Sequence, residues 1–313
     1  MALAEKTSEK TTLSEKASWR SPKLGTKRQL TTSAGLLPVY ERGAGDRTLV
    51  FAHGWLANAN LWRNVVDALA GSLADSLAGE FRTIVFDLPL GAHPAAMTAG
   101  ADLTPDGIGN LIQEAWAELD VRDAVMIGND SGGAYTQIAL AKDASRAAGL
   151  VLNACEVPGI PWPPKGFEGL QAASRVPGRL RAAMTPLRNP ALRMAEAAFG
   201  RLVQKPIEEE ASNTYVLPLL DDDSVLRDAE AVISSGAGIH VEQAAAKLIA
   251  GFDRPVALIW PAEDKIFPHE NAIAYAKALR HGRYETLPGC RSFVPEDQPV
   301  ALAQRIAAFA RTL

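Results

Sequence analysis

The stretch "IGNDSGGA", residues 127–134, decides how the rest of the chain is read. Apolar Val125, Met126 and Ile127 run into it, and the helix-forming "AYTQIALA" runs out of it. A short buried strand that turns at once into a helix must bring two backbones close together. Gly128 and Gly132 stand two residues before and two after Asp130, where small residues allow that approach, and Gly133 relaxes the start of the helix. The apolar run sets the register, so Asp130 is the apex; with Ser131 at the apex, Asn129 would fill the tight position. An apex in such a turn is held in a strained backbone conformation with its side chain exposed to a ligand. The plainer alternative is a helix start that Asp130 merely caps.

Outward from this turn, strand and helix patterns alternate. "TLVFAHG" (48–54), "FRTIVFDLP" (81–89), "DAVMIGND" (123–130) and "AGLVLNAC" (148–155) read as buried strands. Between them, "ANLWRNVVDALAGSLA" (59–74) and "TPDGIGNLIQEAWAELD" (104–120) have helical spacing, the second with Thr104 as N-cap. The alternation breaks near Glu156 and resumes at "RPVALIWPAED" (254–264), then ends with the strand "RYETLPG" and the helix "QPVALAQRIAAFARTL". This pattern predicts an α/β fold, a mostly parallel sheet covered on both faces. Residues 29–155 and 251–313 form its core, and residues 156–250, with joints such as "VPGIPWPPKGF", a helical cap. Such an insertion leaves and re-enters at strand C-terminal ends, where open α/β sheets bind ligands.

Of the 313 residues, 47% are hydrophobic and 22% charged, the balance of a globular enzyme, and the net charge of −4 does not favour nucleic acid. No apolar run is long enough to span a membrane. Two cysteines, Cys155 and Cys290, make no disulfide framework, so a reducing cytoplasm is expected. Residues 1–28 hold seven Lys/Arg against three Glu, with few aliphatic residues, and are expected to be a disordered or extended tail. The expected partners are a small-molecule substrate and at most a second copy in a homodimer, with no metal and no cofactor.

With "FAHGW" (51–55), "FDLPLGAHP" (86–94), "IGNDSGG" (127–133), "IWPAEDKIFP" (259–268) and "LPGCRSFVPEDQP" (287–299) in this order, the chain resembles the α/β-hydrolase superfamily over residues 29–313. An aspartate at the elbow is similar to the branch of epoxide hydrolases and of haloalkane and fluoroacetate dehalogenases. The resemblance implies a carboxylate that attacks carbon to give an alkyl-enzyme ester, later hydrolysed by water. It makes the amides of Trp55 and Ser131 the oxyanion donors. It leaves His53 a structural residue of the "HG" turn. It offers two relay acids, Asp264 as the commoner position and Glu156 as the alternative.

The base that the resemblance calls for is absent. The family's histidine stands before the aromatic in the loop preceding the last helix, and here that residue is Ser292, which cannot deprotonate water at neutral pH. Of the five histidines, His93 in "LPLGAHPAAM" is the first candidate as a surrogate, and His240 follows; His269 and His281 flank a predicted surface helix. The specialised pocket is incomplete as well. Ser131 stands where dehalogenases of this fold usually keep a tryptophan, and Tyr215, expected to bind substrate, is the only tyrosine between residues 157 and 250, where epoxide hydrolases usually offer two. Trp162 and Phe167 are expected to line the cap. The expectation is a hydrolase of epoxide or carbon–halogen bonds. The alternatives on the same scaffold are an isomerase, cyclase, lyase or transferase, or a ligand receptor without turnover.

Overall fold

The computed structural model describes residues 15–71 and 79–313. Its strands are β1 Thr26–Thr32, β2 Gly35–Arg42, β3 Arg47–Ala52, β4 Phe81–Phe86, β5 Ala124–Asn129, β6 Ala147–Asn153, β7 Val256–Pro261 and β8 Gly282–Leu287. They form one sheet in the order β1-β2-β4-β3-β5-β6-β7-β8. The β1–β2 and β2–β4 pairs are antiparallel; every later neighbour is parallel. β3, β5, β6 and β7 carry near-continuous aliphatic runs and are buried almost throughout, as strands covered on both faces must be. β1 lies at the edge, and its exposed Lys27 and Arg28 discourage a further strand from adding there.

The helices before the insertion are α1 Arg63–Leu69, α2 Pro105–Glu118 and α3 Ser131–Leu140. In α2 the Thr104 hydroxyl accepts the Gly107 amide at 3.2 Å and Pro105 opens the helix, as its sequence predicts. All ten residues of α3 are buried, so it runs through the core with no face to solvent. Residues 72–74 of the helix expected after β3 lie outside the described residues.

Between β6 and β7 the chain forms α4 Glu168–Ser174, α5 Arg179–Met184, α6 Glu209–Asp221, α7 Asp223–Ser235 and α8 Gly238–Gly251. α8 differs from the expectation of an insertion reaching residue 250. Its buried Val241, Ala244, Ala245 and Leu248, at spacings of three and four, pack it against α3 in the helical layer. α9 His269–Ala278 and α10 Pro299–Ala310 complete the fold.

Buried polar contacts tie the insertion to the sheet-bearing part. The Asn58 side chain donates to the Thr214 carbonyl and hydroxyl, both at 3.0 Å. Arg63 pairs with Glu296 at 2.7 Å, and the Tyr215 hydroxyl donates to the same carboxylate at 2.7 Å.

The expected tail is corrected over its second half; residues 1–14 lie outside the described residues. Arg20 reaches a buried ion pair with Asp87 at 2.8 Å, and the Ser21 amide donates to Asn60 Oδ1 at 2.8 Å. Leu24 is fully buried, and β1 begins at Thr26. The binding groups are scattered singly among Lys, Ser and Thr, so no hydrophobic periodicity betrays them.

Candidate active site

Asp130 ends β5 and opens α3 with φ +54° and ψ −146°, a region that non-glycine residues enter only at a cost of about 1–3 kcal/mol. Its amide donates to the Ala154 carbonyl and its carbonyl accepts from the Gly133 amide, each at 2.8 Å, so both sides of the apex are fixed. A Cβ on Gly132 would come within 2.4 Å of the His53 carbonyl oxygen. One on Gly54 would come within 2.3 Å of the Asp130 carboxylate. Those two positions must be bare for the elbow to close.

Asn129, one residue earlier, is a fully buried brace. Its side-chain amide donates to the Asn153 carbonyl and side chain, both at 2.9 Å, and to the Ser292 carbonyl at 2.8 Å. One side chain thus holds β5, β6 and the loop of Ser292 together.

The Asp130 carboxylate opens on a cavity of about 380 Å³, in the range of small-molecule sites. Trp55, Ser131, Glu156, Trp162 and Phe167 line it, all named from the sequence. Among the described residues no Lys, Arg or His lines it, and the wall is otherwise mostly aliphatic and aromatic. Tyr135 is a lining residue that the sequence reading missed. It stands one turn after Ser131 on α3, hence on the same face, and helical spacing from the apex would have found it. Trp162 packs edge-on to it, with ring centroids 5.1 Å apart.

Backbone donors converge on the apex. The Ser131 amide donates to Asp130 Oδ1 at 2.6 Å, and the Trp55 amide donates to the Ser131 hydroxyl oxygen at 2.9 Å. Burial raises the Asp130 carboxyl most; the Ser131 amide and hydroxyl oppose it, Asp264 adds repulsion, and the Trp55 amide lowers it, leaving a value of about 6. It is therefore ionised at neutral pH but easily protonated below it.

Glu156, three residues beyond β6, is buried at 1% exposure, and its Oε2 has no hydrogen-bond partner. Burial first, then the charge of Asp130, pushes its carboxyl well above the usual range. Glu156 and Asp130 thus share a cavity wall in which burial disfavours the charge of each, and the charge of Asp130 opposes that of Glu156. Two carboxyls on one cavity wall can divide the roles of acid and of base or nucleophile.

Asp264 and Ser292 meet each other but do not line the cavity. The Ser292 hydroxyl donates to Asp264 Oδ1 at 3.1 Å, and the same oxygen accepts the Ile266 and Phe267 amides at 2.6 and 2.9 Å. Burial raises the Asp264 carboxyl against those three donors, and its Oδ2 is left without a partner.

None of the histidines reaches the cavity. His53 Nδ1 donates to the Gly54 carbonyl and its Nε2 accepts the Leu88 amide, each at 2.9 Å, which fixes one neutral tautomer. Burial lowers its pKa to about 4, so it orients the loop, as the "HG" turn implies. His93 as surrogate base is corrected: it is fully buried with Nε2 3.2 Å from Asp228 on α7, an anchor for the insertion. His269 contacts the Tyr284 hydroxyl, His281 pairs with Asp253 at 2.8 Å, and His240 sits on the first turn of α8. Tyr215 is corrected too, since its hydroxyl is spent on Glu296 away from the cavity. No group of three or more His, Cys, Asp or Glu among the described residues is placed to hold a metal ion. No helix among them is long and apolar enough to cross a membrane.

The family model described as "Alpha/beta hydrolase family" matches residues 49–305. A pimeloyl-[acyl-carrier protein] methyl ester esterase of Edwardsiella ictaluri is 32% identical over 124 residues, which is 39% of this chain and 42% of the esterase. The match thus spans less than half the length of that relative. The haloalkane dehalogenase DatA from Agrobacterium tumefaciens superposes with a TM-score of 0.75 at 17% identity, over 94% of this chain and 99% of that one. The epoxide hydrolase CorEH superposes with a TM-score of 0.73 at 20% identity, over 92% and 99%. At such identities the likeness is one of fold. The family match takes in the sheet from β3 to β8, the Asp130 elbow and the Asp264–Ser292 pair, and the chain belongs to the alpha/beta hydrolase family.

Proposed function

We propose that the protein opens a small, apolar electrophile by attack of Asp130 on carbon, in the manner of an epoxide hydrolase, with an alkyl-enzyme ester as intermediate. One observation carries this reading: an ionisable carboxylate at a strained apex faces a mostly apolar cavity, with the Ser131 N–H already 2.6 Å from one of its oxygens. When the ester forms, that oxygen becomes the carbonyl that water attacks, and the Ser131 amide stands where the oxyanion develops. The fold shared with an epoxide hydrolase and a dehalogenase supports the reading without specifying the bond that is cleaved.

The test is mass spectrometry of the protein mixed with small terminal epoxides and alkyl halides, followed by peptide mapping. An adduct on the peptide containing Asp130, absent from Asp130→Asn, is expected. Turnover without any adduct, or with a variant that retains activity, would end the covalent reading.

A second reading is favoured by the position of the five histidines, all outside the cavity lining. With no imidazole to activate water, Asp130 as base and Glu156 as acid would instead move a proton across a bound substrate, giving an isomerase or cyclase. Product equal in mass to substrate, with no uptake of labelled oxygen from water, separates it from hydrolysis.

A further inference from the structure

Resting on the Asp130 nucleophile, we infer that Glu156 is the proton donor for ring opening and then the base that activates water, so the cycle needs no histidine and turns over only substrates whose leaving atom is oxygen. Geometry places it for this. Glu156 lines the same cavity as Asp130. The Asp130 amide is bonded to Ala154, two residues before it, and Gln137 of α3 donates to the Glu156 main-chain carbonyl at 2.9 Å. Its Oε2 is buried and unpartnered, and the histidine that a relay carboxylate would orient is missing at Ser292. The titratable groups that act on this corner are Asp130, Tyr135 and Cys155, with Asp264 behind the apex.

The proton inventory closes. In the first step an Asp130 oxygen bonds to an epoxide carbon, the carbon–oxygen bond breaks, and the departing oxygen takes the proton of Glu156. The products are an Asp130 ester and an ionised Glu156. In the second step Glu156 takes a proton from water as the hydroxide adds to the ester carbonyl. The tetrahedral intermediate collapses, the alkoxide leaves, and that alkoxide takes the proton from Glu156. The proton left on the Asp130 carboxyl returns to Glu156, and the resting state of ionised Asp130 and protonated Glu156 is restored. Overall, an epoxide and water give a diol.

An alkyl halide breaks this sequence. Halide leaves without a proton, Glu156 stays protonated, and no base is generated. The same site that turns over an epoxide would be alkylated once by a halide and stop. Acid-to-base switching by one carboxyl is established chemistry for retaining glycoside hydrolysis; here the vacancy at Ser292 calls for it.

The experiment compares epoxyhexane with bromohexane on the full-length protein at neutral pH, following product, bromide and intact mass. Wild type is expected to convert epoxyhexane catalytically, and to release one equivalent of bromide while retaining one hexyl group on the Asp130 peptide. Glu156→Gln is expected to be alkylated by bromohexane within about threefold of the wild-type rate and to open epoxyhexane ~10²–10⁴-fold more slowly. Sustained turnover of bromohexane by wild type would overturn the inference, as would wild-type opening of epoxyhexane by Glu156→Gln. So would loss of ring opening in Tyr135→Phe while Glu156→Gln keeps it, which would make Tyr135 the donor. The two-probe comparison on wild type decides even if Glu156→Gln does not fold. No adduct at Asp130 from either probe sinks the nucleophile itself, a distinct result from turnover through Asp130 that ignores Glu156.

Discussion

Replacing Asp130 with asparagine should make the protein more stable while it abolishes the chemistry. The folded carboxyl is raised from 3.8 to about 6, so the folded state binds its proton more tightly than the unfolded chain does. Between those pH values the unfolded chain is ionised and the folded state is not, and stability falls as pH rises through this window. Once the folded group has also ionised, the accumulated cost is ~3 kcal/mol. Asp130 is half-buried, with its remaining surface on the cavity, and water there trims the figure to ~2 kcal/mol. Asparagine carries no charge, tolerates positive φ, and keeps an oxygen for the Ser131 amide. Asp130→Asn should therefore melt roughly 3 °C higher than wild type at pH 7.5. The gap should close towards pH 4, where the wild-type carboxyl is itself protonated. Thermal melts of both proteins across that range test this. An equal or lower midpoint at pH 7.5, or a gap that does not shrink with acid, would mean that the elbow does not bear an ionised carboxylate at a cost.

Arg20→Ala leaves Asp87 buried without its cation and should cost ~3–5 kcal/mol, read by chemical denaturation; a loss below ~1 kcal/mol would return residues 15–25 to the status of a loose tail. His93→Ala should cost ~1–3 kcal/mol through the lost Asp228 contact and leave the rate of Asp130 alkylation unchanged, whereas an ester trapped only in this variant would restore His93 as a base. Ser292→His puts an imidazole beside Asp264 in a site with no spare exposure. It should lower stability by ~1–3 kcal/mol and release the stalled hexyl ester, so a stall as long as wild type's would mean the ring cannot reach the ester. With an epoxide, kcat/KM should rise as pH passes about 6 and Asp130 ionises, then fall on the alkaline side as Glu156 loses its proton; a profile flat across pH 6 would contradict the raised nucleophile.

The sheet was legible because parallel strands covered on both faces carry near-continuous apolar runs, and β3 to β7 do. The elbow was legible because its turn tolerates so few residue types that Gly128, Asp130 and Gly132 announce it. β1 was not, because TKRQLTT at a sheet edge buries only Leu30 and stabilises itself by backbone pairing with β2, which any sequence can make. His93 and Tyr215 were misread for a shared reason. A polar side chain in a loop or helix near a site looks the same in sequence whether it faces ligand or closes a buried bond to Asp228 or Glu296. Tyr135 and Asn129 were within reach, since both lie on the elbow's own elements, one a helical turn after Ser131 and one a residue before the apex.

The vacancy at Ser292 is local, and that bears on mechanism. The loop of Ser292 is firmly held without a histidine. Asn129 holds the Ser292 carbonyl, the Phe293 amide donates to Leu202 at 2.8 Å, and Asp264 is braced by two amides and faces the serine hydroxyl. Asp264 in this setting is a cost, because its Oδ2 is buried without a partner and its charge adds repulsion to Asp130. The serine hydroxyl offsets part of that cost but accepts no proton at neutral pH. In the proposed cycle the proton moves instead through Glu156, the buried acid that lines the cavity with Asp130. Of these two carboxyls Glu156 lines the cavity and Asp264 does not, so under the proposed mechanism only Glu156 can exchange a proton with substrate.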